Sequence, residues 1–391
     1  MCQVPCRHRV GLILLGQSHE KGIWVTNHRR ARLKDVAQLA GTSVATASRA
    51  FSGKAFVAEA TRGRVLSAGK VLNYYPNLQA RSLRKKTSHC VGLIIPNLLN
   101  AYYTALADAI SQMLAERGYH LLLASTRDDP ASERETLLDM VGQVVDGLIW
   151  VPATPDEGLL DLLHSQHTHA VSIVRRLPGD VIDTVVFEDF AGSKAATQHL
   201  INIGHRRIGF IAGDVRHSSH RGRWRGYLAA MEDSALAVDR SLVKLGIDRS
   251  TKAILATEDM LRLSVPPTAV FVGSNAYMPG VIRTLRLRDV RVPAKMSLIC
   301  FDDVDWFSFS VPPITAVSVS HSRLAEAALD LLFARIENPD ADERQPTVIE
   351  IECDLVLRGS TAPLSEPVAP TEGSVSEPHS QMVGRVLSNA R

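Results

Sequence analysis

The segment KDVAQLAGTSVATASRAFSG, residues 34–53, decides the fold of the N-terminal part of the chain. Its first seven residues carry apolar side chains at helical spacing, which predicts a short helix with one apolar stripe. The next residue, Gly41, suits the left-handed position that often follows a helix. The residues of the predicted stripe are Val36, Ala37, Leu39 and Ala40.

A second helix is predicted over residues 44–51. Ser43 can cap this helix, because its hydroxyl can accept a hydrogen bond from the amide of Ala45 or Thr46. Two short helices joined by a glycine-containing turn form a helix-turn-helix. A third helical run covers about residues 58–72, with Val65 and Leu72 as its expected core residues.

The second helix has the residue types that a DNA-contacting helix needs. The side chains at its N-terminus are small enough for the helix to approach the major groove, and its hydroxyl groups can donate to phosphates. Arg49 can reach a guanine edge with two hydrogen bonds, the commonest base-specific contact. A small helical bundle with a polar surface is the alternative that this segment leaves open. The candidate DNA-contacting residues are Ser43, Val44, Ala45, Thr46, Ser48 and Arg49.

Charge is distributed unevenly along the chain. Residues 1–90 contain 16 Lys or Arg against 3 Asp or Glu, a charge of +13. Residues 91–391 therefore carry −10, because the whole chain carries +3. A basic N-terminal block on an acidic body indicates a polyanion as the partner of that block.

Length and composition narrow the class of protein. A chain of 391 residues predicts two or three domains. No apolar run reaches the ~18 residues of a membrane span, and RVGLILLGQ at 9–17 is not followed by the cleavage site of a signal peptide. Five mostly scattered cysteines fit a reducing cytoplasm better than a disulfide framework. These observations predict a cytoplasmic protein with no membrane partner.

From residue 91 onward, short apolar runs alternate with helical stretches, which predicts buried parallel strands in an α/β fold. This part of the chain is long for one sheet, so we expect two lobes. The apolar runs are VGLIIPN (91–97), HLLLAST (120–126), GLIWVPA (147–153), AVSIVRR (170–176), TVVFED (184–189), RIGFIAG (207–213), AVFVGS (269–274) and MSLICFDD (296–303).

The segment at 34–53, followed by YYPNLQARSLRKKTSHCVGLIIPNLLNAYY at 74–103, resembles the lactose-repressor (LacI/GalR) family of transcriptional regulators. The resemblance runs from about Arg32 to Thr361. It implies an all-α helix-turn-helix headpiece plus a core like the periplasmic binding proteins, with two Rossmann-like lobes joined by three crossings. The resemblance places one lobe at about 91–187 plus 318–350 and the other at about 188–317 plus 352–361. The domains expected are a disordered extension (1–30), the headpiece (31–76), a hinge (77–90), the effector-binding and dimerisation core (91–361) and a disordered tail (362–391).

In the family the hinge folds into a short helix only on operator DNA, paired across a dimer, and a leucine wedges into the minor groove. The matching residue here is Leu83, and Arg84 is expected to face a phosphate beside it. An apolar wedge costs unstacking energy and gains a bent duplex with more contact surface. A basic linker is the alternative reading of the same residues.

The resemblance also places a small effector between the lobes, where the carboxyl ends of the strands meet. Arg223 matches the family's effector-clamping arginine and Asp302 its effector-binding aspartate. Ser274 and Asn275 stand where many members have Asn and Asp, which leaves the identity of the effector open. The candidate effector-binding residues are Tyr102, Tyr103, Ser125, Arg176, Arg223, Ser274, Asn275, Asp302 and Trp306.

The sequence therefore predicts a dimeric, operator-binding repressor, with a tetramer left open, that responds to a sugar or sugar derivative. Nucleobase-like ligands are the alternative for the effector. A transport-type sugar-binding protein is one alternative, but it needs a signal peptide and no headpiece. A sugar-processing enzyme is another, but Asp302 and Asp303 are adjacent on one strand end, so their side chains should point opposite ways. Motifs for dinucleotides, phosphates or a nucleophile elbow are missing from the sequence, so no enzyme activity, cofactor or metal is expected.

Overall fold

A computed structural model describes residues 31–52, 57–75, 87–142, 145–153, 157–166, 168–338 and 345–364. The chain divides into two compact units. Met1–Arg81 contains the headpiece, and Ser82–Arg391 contains the two-lobed core. Within these ranges, no helix combines the length and the apolar character that crossing a membrane requires. The expected extension at 1–30, and the tail beyond residue 364, lie outside the described residues.

The headpiece consists of α1 (Leu33–Leu39), α2 (Val44–Ser52) and α3 (Glu59–Val71). Gly41 takes the left-handed conformation expected between α1 and α2, with φ of +62°. The start of α1 is held by Asp35, whose carboxylate accepts a hydrogen bond from the Arg32 amide at 2.7 Å. The three helices enclose a small hydrophobic cluster, the headpiece core. Its buried residues are Val36, Ala37, Ala40, Ala47, Ala50, Val65 and Ala68.

One residue of the predicted stripe on α1 lies outside this core. Leu39 is 54% exposed, whereas Val36, Ala37 and Ala40 are buried. At ~100° per residue, Leu39 lies about 200° from Ala37 around the helix. The small core therefore covers only the side of α1 that Ala37 faces, and the prediction for Leu39 was wrong.

The described part of the core alternates strands and helices. The strands are β1 (Cys90–Ile95), β2 (His120–Ser125), β3 (Gly147–Trp150), β4 (His169–Ile173), β5 (Asp183–Phe187), β6 (Ile208–Ile211), β7 (Val243–Lys244), β8 (Ala269–Val272), β9 (Ser297–Phe301), β10 (Thr315–Ser318), β11 (Val348–Ile351) and β12 (Asp354–Val356). The helices are α4 (Ala101–Glu116), α5 (Pro130–Gly142), α6 (Glu157–Ser165), α7 (Asp189–Asn202), α8 (Ser218–Asp233), α9 (Ser250–Leu261), α10 (Met278–Leu287), α11 (Trp306–Phe309) and α12 (His321–Ile336).

The strands form two sheets, which we call lobe 1 and lobe 2 together with their helices. Lobe 1 has the strand order β11-β5-β4-β3-β1-β2, and lobe 2 the order β12-β10-β9-β8-β6-β7. All neighbouring strands are parallel except β10 and β12. The central strands are buried on both faces; in SLICF of β9, for example, every residue is buried. The predicted class, a helix-turn-helix headpiece with a two-lobed α/β core, is confirmed.

The chain passes between the lobes three times. It leaves lobe 1 after Phe187, returns after Ser318, and crosses again between Ile351 and Asp354. The last crossing consists of two residues, so β11 and β12 are consecutive strands that complete opposite sheets. These crossings bring loops and helix starts from the carboxyl ends of both sheets to one interlobe cleft.

Candidate DNA-binding face and effector site

The start of α2 is capped as the sequence predicted. The amide of Thr46 donates to Ser43 Oγ at 3.0 Å, and the two hydroxyl oxygens are 2.8 Å apart. Capping uses one amide that the first turn of a helix would otherwise leave unpaired. The remaining unpaired amides, with Ser43 itself, are available at the exposed helix start.

One side of α2 is fixed in the headpiece core and the other is free. Ala47 and Ala50 are buried, and α3 approaches so closely that a Cβ on Gly69 would lie 2.8 Å from Phe51 Cζ. On the free side the structure places all six predicted DNA-contacting residues of the helix-turn-helix. Ser43, Val44, Ala45 and Arg49 are exposed, and Thr46 and Ser48 are half-buried. Leu83 and Arg84, the predicted hinge contacts, lie outside the described residues.

Arg223, on α8, is the centre of the interlobe cleft. Its side chain is 4% exposed, and its guanidinium lies 3.7 Å from the centroid of the Phe301 ring. Nε donates to Asp189 Oδ1 at 2.8 Å and Nη1 to the carbonyl of Gly273 at 2.8 Å. Nη2 lies 3.2 Å from Asp302 Oδ1. A guanidinium whose donors are used in this way is part of the framework of the site.

Asp302 gathers the polar residues of lobe 2 at the end of β9. Its Oδ2 accepts from Ser274 Oγ at 3.2 Å and from Asn275 Nδ2 at 3.3 Å. All three residues are buried. The structure therefore brings together four of the predicted effector-binding residues of lobe 2, with Arg223 as the fourth.

Burial controls the electrostatics of this cluster. Burial lowers the pKa of Arg223, but Asp302 and Asp189 outweigh that effect and the pKa is raised above its ordinary value. Burial raises the pKa of Asp189 to about 6, although Arg223 opposes the shift. Arg223 is therefore charged at every accessible pH. Asp189 is the group whose charged form is destabilised by burial.

Two tyrosines in the first turn of α4 form the lobe-1 side of the cleft. Tyr102 and Tyr103 are both buried, and Asn100 caps the helix by accepting from the Tyr102 amide at 3.0 Å. The Tyr102 ring lies 4.7 Å from that of His321, the first residue of α12. Burial raises the pKa of Tyr103 to about 12. Both predicted tyrosines therefore face the cleft as neutral hydroxyls.

The neighbouring arginines at the end of β4 have opposite placements. Arg175 is buried, and its Nη1 and Nη2 pair with the carboxylate of Asp128 at 2.5 and 3.1 Å. Arg176, the predicted effector residue, is exposed and paired with Asp180 at 2.5 and 2.6 Å. Its backbone amide, however, donates to Ser218 Oγ of lobe 2 at 2.7 Å. The guanidinium of Arg175 is therefore buried in the cleft, whereas Arg176 lines a separate cavity of about 380 Å³ with Ser218 and Arg221 of lobe 2.

Two other predicted effector residues lie apart from the Arg223 cluster. Ser125 is half-buried and donates to the carbonyl of Pro96 at 3.1 Å. Trp306 begins α11, packs on Phe307 with ring centroids 4.6 Å apart, and lines a groove on the far side of lobe 2. The structure does not place Trp306 with the other predicted residues.

The cleft also contains residues that the sequence analysis missed. His217 and His220 lie at the start of α8, one turn apart, and the His220 ring is 6.2 Å from that of Tyr277. Burial lowers the pKa of His217 to about 4, and burial lowers that of His220 well below its ordinary value. The spacing His217-His220-Arg223 puts all three on one helix face, which is a signal the sequence contained. The missed cleft residues are Asp128, Arg175, Asp189, His217, His220, Tyr277 and His321.

Backbone strain is concentrated at the same strand ends. Arg127 and Asp128 after β2, Val174 after β4 and Asp302 after β9 all have positive φ, between +57° and +69°. Such a conformation is costly for residues other than glycine, most of all for a β-branched valine. The surrounding structure supports this strain where it aims Asp128, Arg175 and Asp302 into the cleft.

Several buried polar atoms of the cleft have no hydrogen-bond partner within the described residues. Each of them can donate a hydrogen bond, and a buried donor without a partner is unfavourable. A polar ligand or ordered water between the lobes would satisfy them. These atoms are Tyr102 Oη, Thr126 Oγ1, Arg175 Nε, His220 Nδ1 and His321 Nε2.

The same two regions match known protein families. Residues 32–77 match the bacterial regulatory proteins of the lacI family, and residues 197–361 match a periplasmic binding protein-like domain. The HTH-type transcriptional repressor PurR of Haemophilus influenzae (strain PittEE) is 33% identical over 330 residues, which cover 84% of this chain and 98% of the relative. PurR of Actinobacillus pleuropneumoniae serotype 3 (strain JL03) is 33% identical over 336 residues, covering 86% of this chain and all of the relative.

This chain belongs to the lacI family of bacterial regulatory proteins.

Solved structures of lacI-family regulators are similar across the chain. The transcriptional regulator CelR in complex with cellobiose has a TM-score of 0.64 and 28% identity, covering 85% of this chain and 100% of that one. The Lac repressor dimer bound to operator and the anti-inducer ONPF has a TM-score of 0.74 and 23% identity, covering 85% of this chain and 100% of that one. This match shows that the two proteins share a fold. As a lacI-family member with a headpiece, the chain is a DNA-binding transcriptional regulator and not an enzyme.

Proposed function

We propose that this protein is a cytoplasmic repressor that binds pseudo-palindromic operators as a dimer and releases or tightens them when a sugar-like effector enters the interlobe cleft. The observation that carries the proposal is the pairing of two features in one chain. One is an exposed, capped helix start on a basic headpiece. The other is a buried Arg223–Asp302 cluster with unpartnered polar atoms around it.

Contact with DNA would use the free face of α2. Val44 and Ala45 are exposed and too small to keep the helix start out of the major groove, and Ser43 can also reach a phosphate. Arg49 is exposed, and no carboxylate of the described residues is paired with it. Its guanidinium is therefore available for a base edge. Because Val44 and Ala45 are apolar, contacts to thymine methyls and DNA shape would supply the rest of the readout.

The hinge remains part of the proposal through its sequence. Leu83 would wedge into a central base step and Arg84 would contact the adjacent phosphate. Replacing Leu83 with Ala should weaken operator binding and reduce DNA bending, measured by the mobility of fragments with a central operator. Unchanged bending would remove the wedge from the proposal.

The effector would be a small polyhydroxylated molecule. Its oxygens would accept from the unpartnered donors, and the rings of Tyr102, Tyr103 and Tyr277 offer faces for its C–H side. CelR, at 28% identity, was solved with cellobiose, which supports a sugar-like ligand. Ligand binding would favour one lobe arrangement, and that arrangement would set the operator affinity by a population shift.

A second copy of this chain would cover the groove on the far side of lobe 2. The groove has a volume of about 830 Å³ and lies between α10 and residues 306–314. Its rim exposes the large apolar side chains of Phe309 (73%) and Val311 (85%), which a partner surface would cover. The Lac repressor was solved as a dimer. Replacing Val311 with Glu should yield monomers in sedimentation, whereas an unchanged dimer would place the interface elsewhere.

The test of the function as a whole is recovery of DNA. Purified protein would be incubated with fragments of its own genome, and the bound fragments sequenced, with Arg49→Ala as the matched control. A few pseudo-palindromic sites that the variant loses would support the repressor, and the neighbouring genes would suggest effectors. Uniform recovery by both proteins would mean that the basic block binds DNA by charge alone, which would contradict operator recognition.

A further inference from the structure

The last residues of the hinge segment are held by the carboxylate of Asp146. Oδ1 accepts from the backbone amide of Ser88 at 2.5 Å and from its hydroxyl at 2.9 Å. Oδ2 accepts from the amide of His89 at 2.9 Å. Asp146 is 58 residues away in sequence from Ser88. One carboxylate thus fixes both amides at the point where the chain enters β1.

Two hydrogen bonds to Cys90 of β1 connect this contact to the sheet of lobe 1. Asp146 immediately precedes β3, and its own amide donates to the carbonyl of Cys90 in β1 at 2.8 Å. Ser88 Oγ in turn accepts from the Cys90 amide at 3.1 Å. His89 is held at φ of +55°, a strained conformation for this residue type. The surrounding bonds therefore fix the backbone of Ser88 and His89 at the start of β1.

Tyr119 packs between His89 and helix α12. Its ring lies 5.2 Å from that of His89 and 4.9 Å from that of Phe333 in α12. Burial raises the pKa of Tyr119, and the negative charge of Asp146 raises it further. Asp146 thus holds Ser88 and His89 by hydrogen bonds, and Tyr119 packs on His89 beside them.

Helix α12 joins this contact to the effector site. Its first residue, His321, packs on Tyr102 in the cleft, and Phe333 packs on Tyr119. The two residues are twelve positions apart, or about 18 Å along the helix axis at ~1.5 Å per residue. The end of the hinge is therefore attached to an element that also contacts the effector site.

We propose that Asp146, with Ser88 and Tyr119, is the anchor that fixes the end of the hinge segment to lobe 1, and that it is a positioning residue for operator recognition. The proposal rests on the function proposed above. An ordered hinge on DNA loses backbone entropy at each residue that must be fixed, so an end that lobe 1 already holds reduces that loss. Binding to DNA without a preferred sequence depends on the charge of the headpiece instead.

The test compares Asp146→Asn and Ser88→Ala with Asp330→Asn. Asp330 is an exposed carboxylate in α12, paired with Arg117 at 2.8 Å, and makes no bond to residues 87–90 among the described contacts. Dimer affinity would be measured by fluorescence anisotropy on an operator recovered as above and on a scrambled duplex, together with the thermal unfolding midpoint. The asparagine keeps the size of Asp146, but its NH₂ group cannot accept from an amide or hydroxyl.

Asp146→Asn should weaken operator binding about tenfold, which corresponds to ~1.4 kcal/mol, and leave binding to the scrambled duplex unchanged. Ser88→Ala should do the same to a smaller extent, and Asp330→Asn should change neither. If Asp146 only stabilises the fold, Asp146→Asn would lower the unfolding midpoint and leave the ratio of operator affinity to scrambled-duplex affinity unchanged. An unchanged ratio in Asp146→Asn, or in Ser88→Ala if the first variant does not fold, would overturn the anchor. Wild-type protein without operator preference would overturn the proposed function instead.

Discussion

Arg49 in the headpiece and Arg223 in the cleft are both arginines at sites of predicted function, yet the structure treats them in opposite ways. Arg49 is exposed, and within the described chain no carboxylate neutralises it. Arg223 is 4% exposed and is bound by two carboxylates and a carbonyl. A charge that will meet a polyanion has to remain solvated and free. A charge that organises a cleft is already compensated, so we expect a ligand to be recognised mainly by the polar atoms that have no partner within the described residues.

The largest effect is expected for Arg223→Ala. Removing the guanidinium leaves Asp189 and Asp302 buried without their cation, and breaking such a cluster costs ~3–5 kcal/mol. Urea denaturation of the core would measure the loss. The matched control is Arg221→Ala on the same helix. Among the described residues, its exposed guanidinium donates to the carbonyls of Val215 and Arg216, and its loss should stay within ~0.5 kcal/mol. Equal effects of the two substitutions would mean that burial of the charge does not distinguish them.

A smaller effect, on binding only, is expected for Arg49→Lys. Lysine keeps the charge but lacks the planar fork that makes two bonds to guanine. Discrimination between operator and scrambled DNA should fall by ~1–3 kcal/mol, whereas the unfolding midpoint and the affinity for scrambled DNA should remain. Titrations of both duplexes at one salt concentration would show this. If both affinities fall together, Arg49 contacts phosphate and not a base.

The pH dependence of stability should separate the cleft from the headpiece. Burial, then Arg223 and Arg175, lowers the pKa of His220, and Asp214 opposes this only in part. The unfolded chain therefore takes up a proton at His220, near pH 6.5, that the folded chain excludes, so the contribution of His220 to stability falls as the pH drops below that value. Asp189, with its pKa raised to about 6, contributes with the opposite sign. His220→Asn should reduce this slope by up to ~1.4 kcal/mol per pH unit. Denaturation at pH 7 and pH 5 would test it, and an unchanged slope would place the acid sensitivity in other groups.

The smallest effect is expected for Ser43→Ala. Loss of the bond from the Thr46 amide should cost ~1 kcal/mol of local helix stability, without changing the core. Amide hydrogen exchange of Thr46 in the intact protein would report it, with Ser48→Ala as the control. Exchange that stays as slow as in the wild type would show that the helix start is held by other contacts.

The two regions also differ in how far the sequence predicts them. The headpiece is encoded in one contiguous segment, so helical spacing and Gly41 suffice, and only Leu39 was misplaced because the small core covers one side of α1. The cleft is assembled from segments up to about two hundred residues apart. The family resemblance located Arg223 and Asp302, but alternation along β4 could not choose between Arg175 and Arg176, because Val174 turns the chain with φ of +65°.

Two other cleft features depend on packing that no local pattern contains. Trp306 follows Asp302 closely in sequence, yet the short helix α11 turns it onto the far side of lobe 2. His321 enters the cleft only because the chain returns to lobe 1 after β10 and starts α12 there.

That return of the chain also has a consequence for biosynthesis. Lobe 1 is interrupted after Phe187, and its remaining parts, α12 and β11, emerge only when all of β6 to β10 has been made. At ~5–20 residues per second, the delay before residue 351 is on the order of ten to thirty seconds. Throughout that interval the surface that Leu324, Leu329 and Leu332 will cover is open to solvent on the ribosome. A nascent chain of this topology therefore presents a defined apolar surface to the chaperones of the cell before its first-made lobe can close.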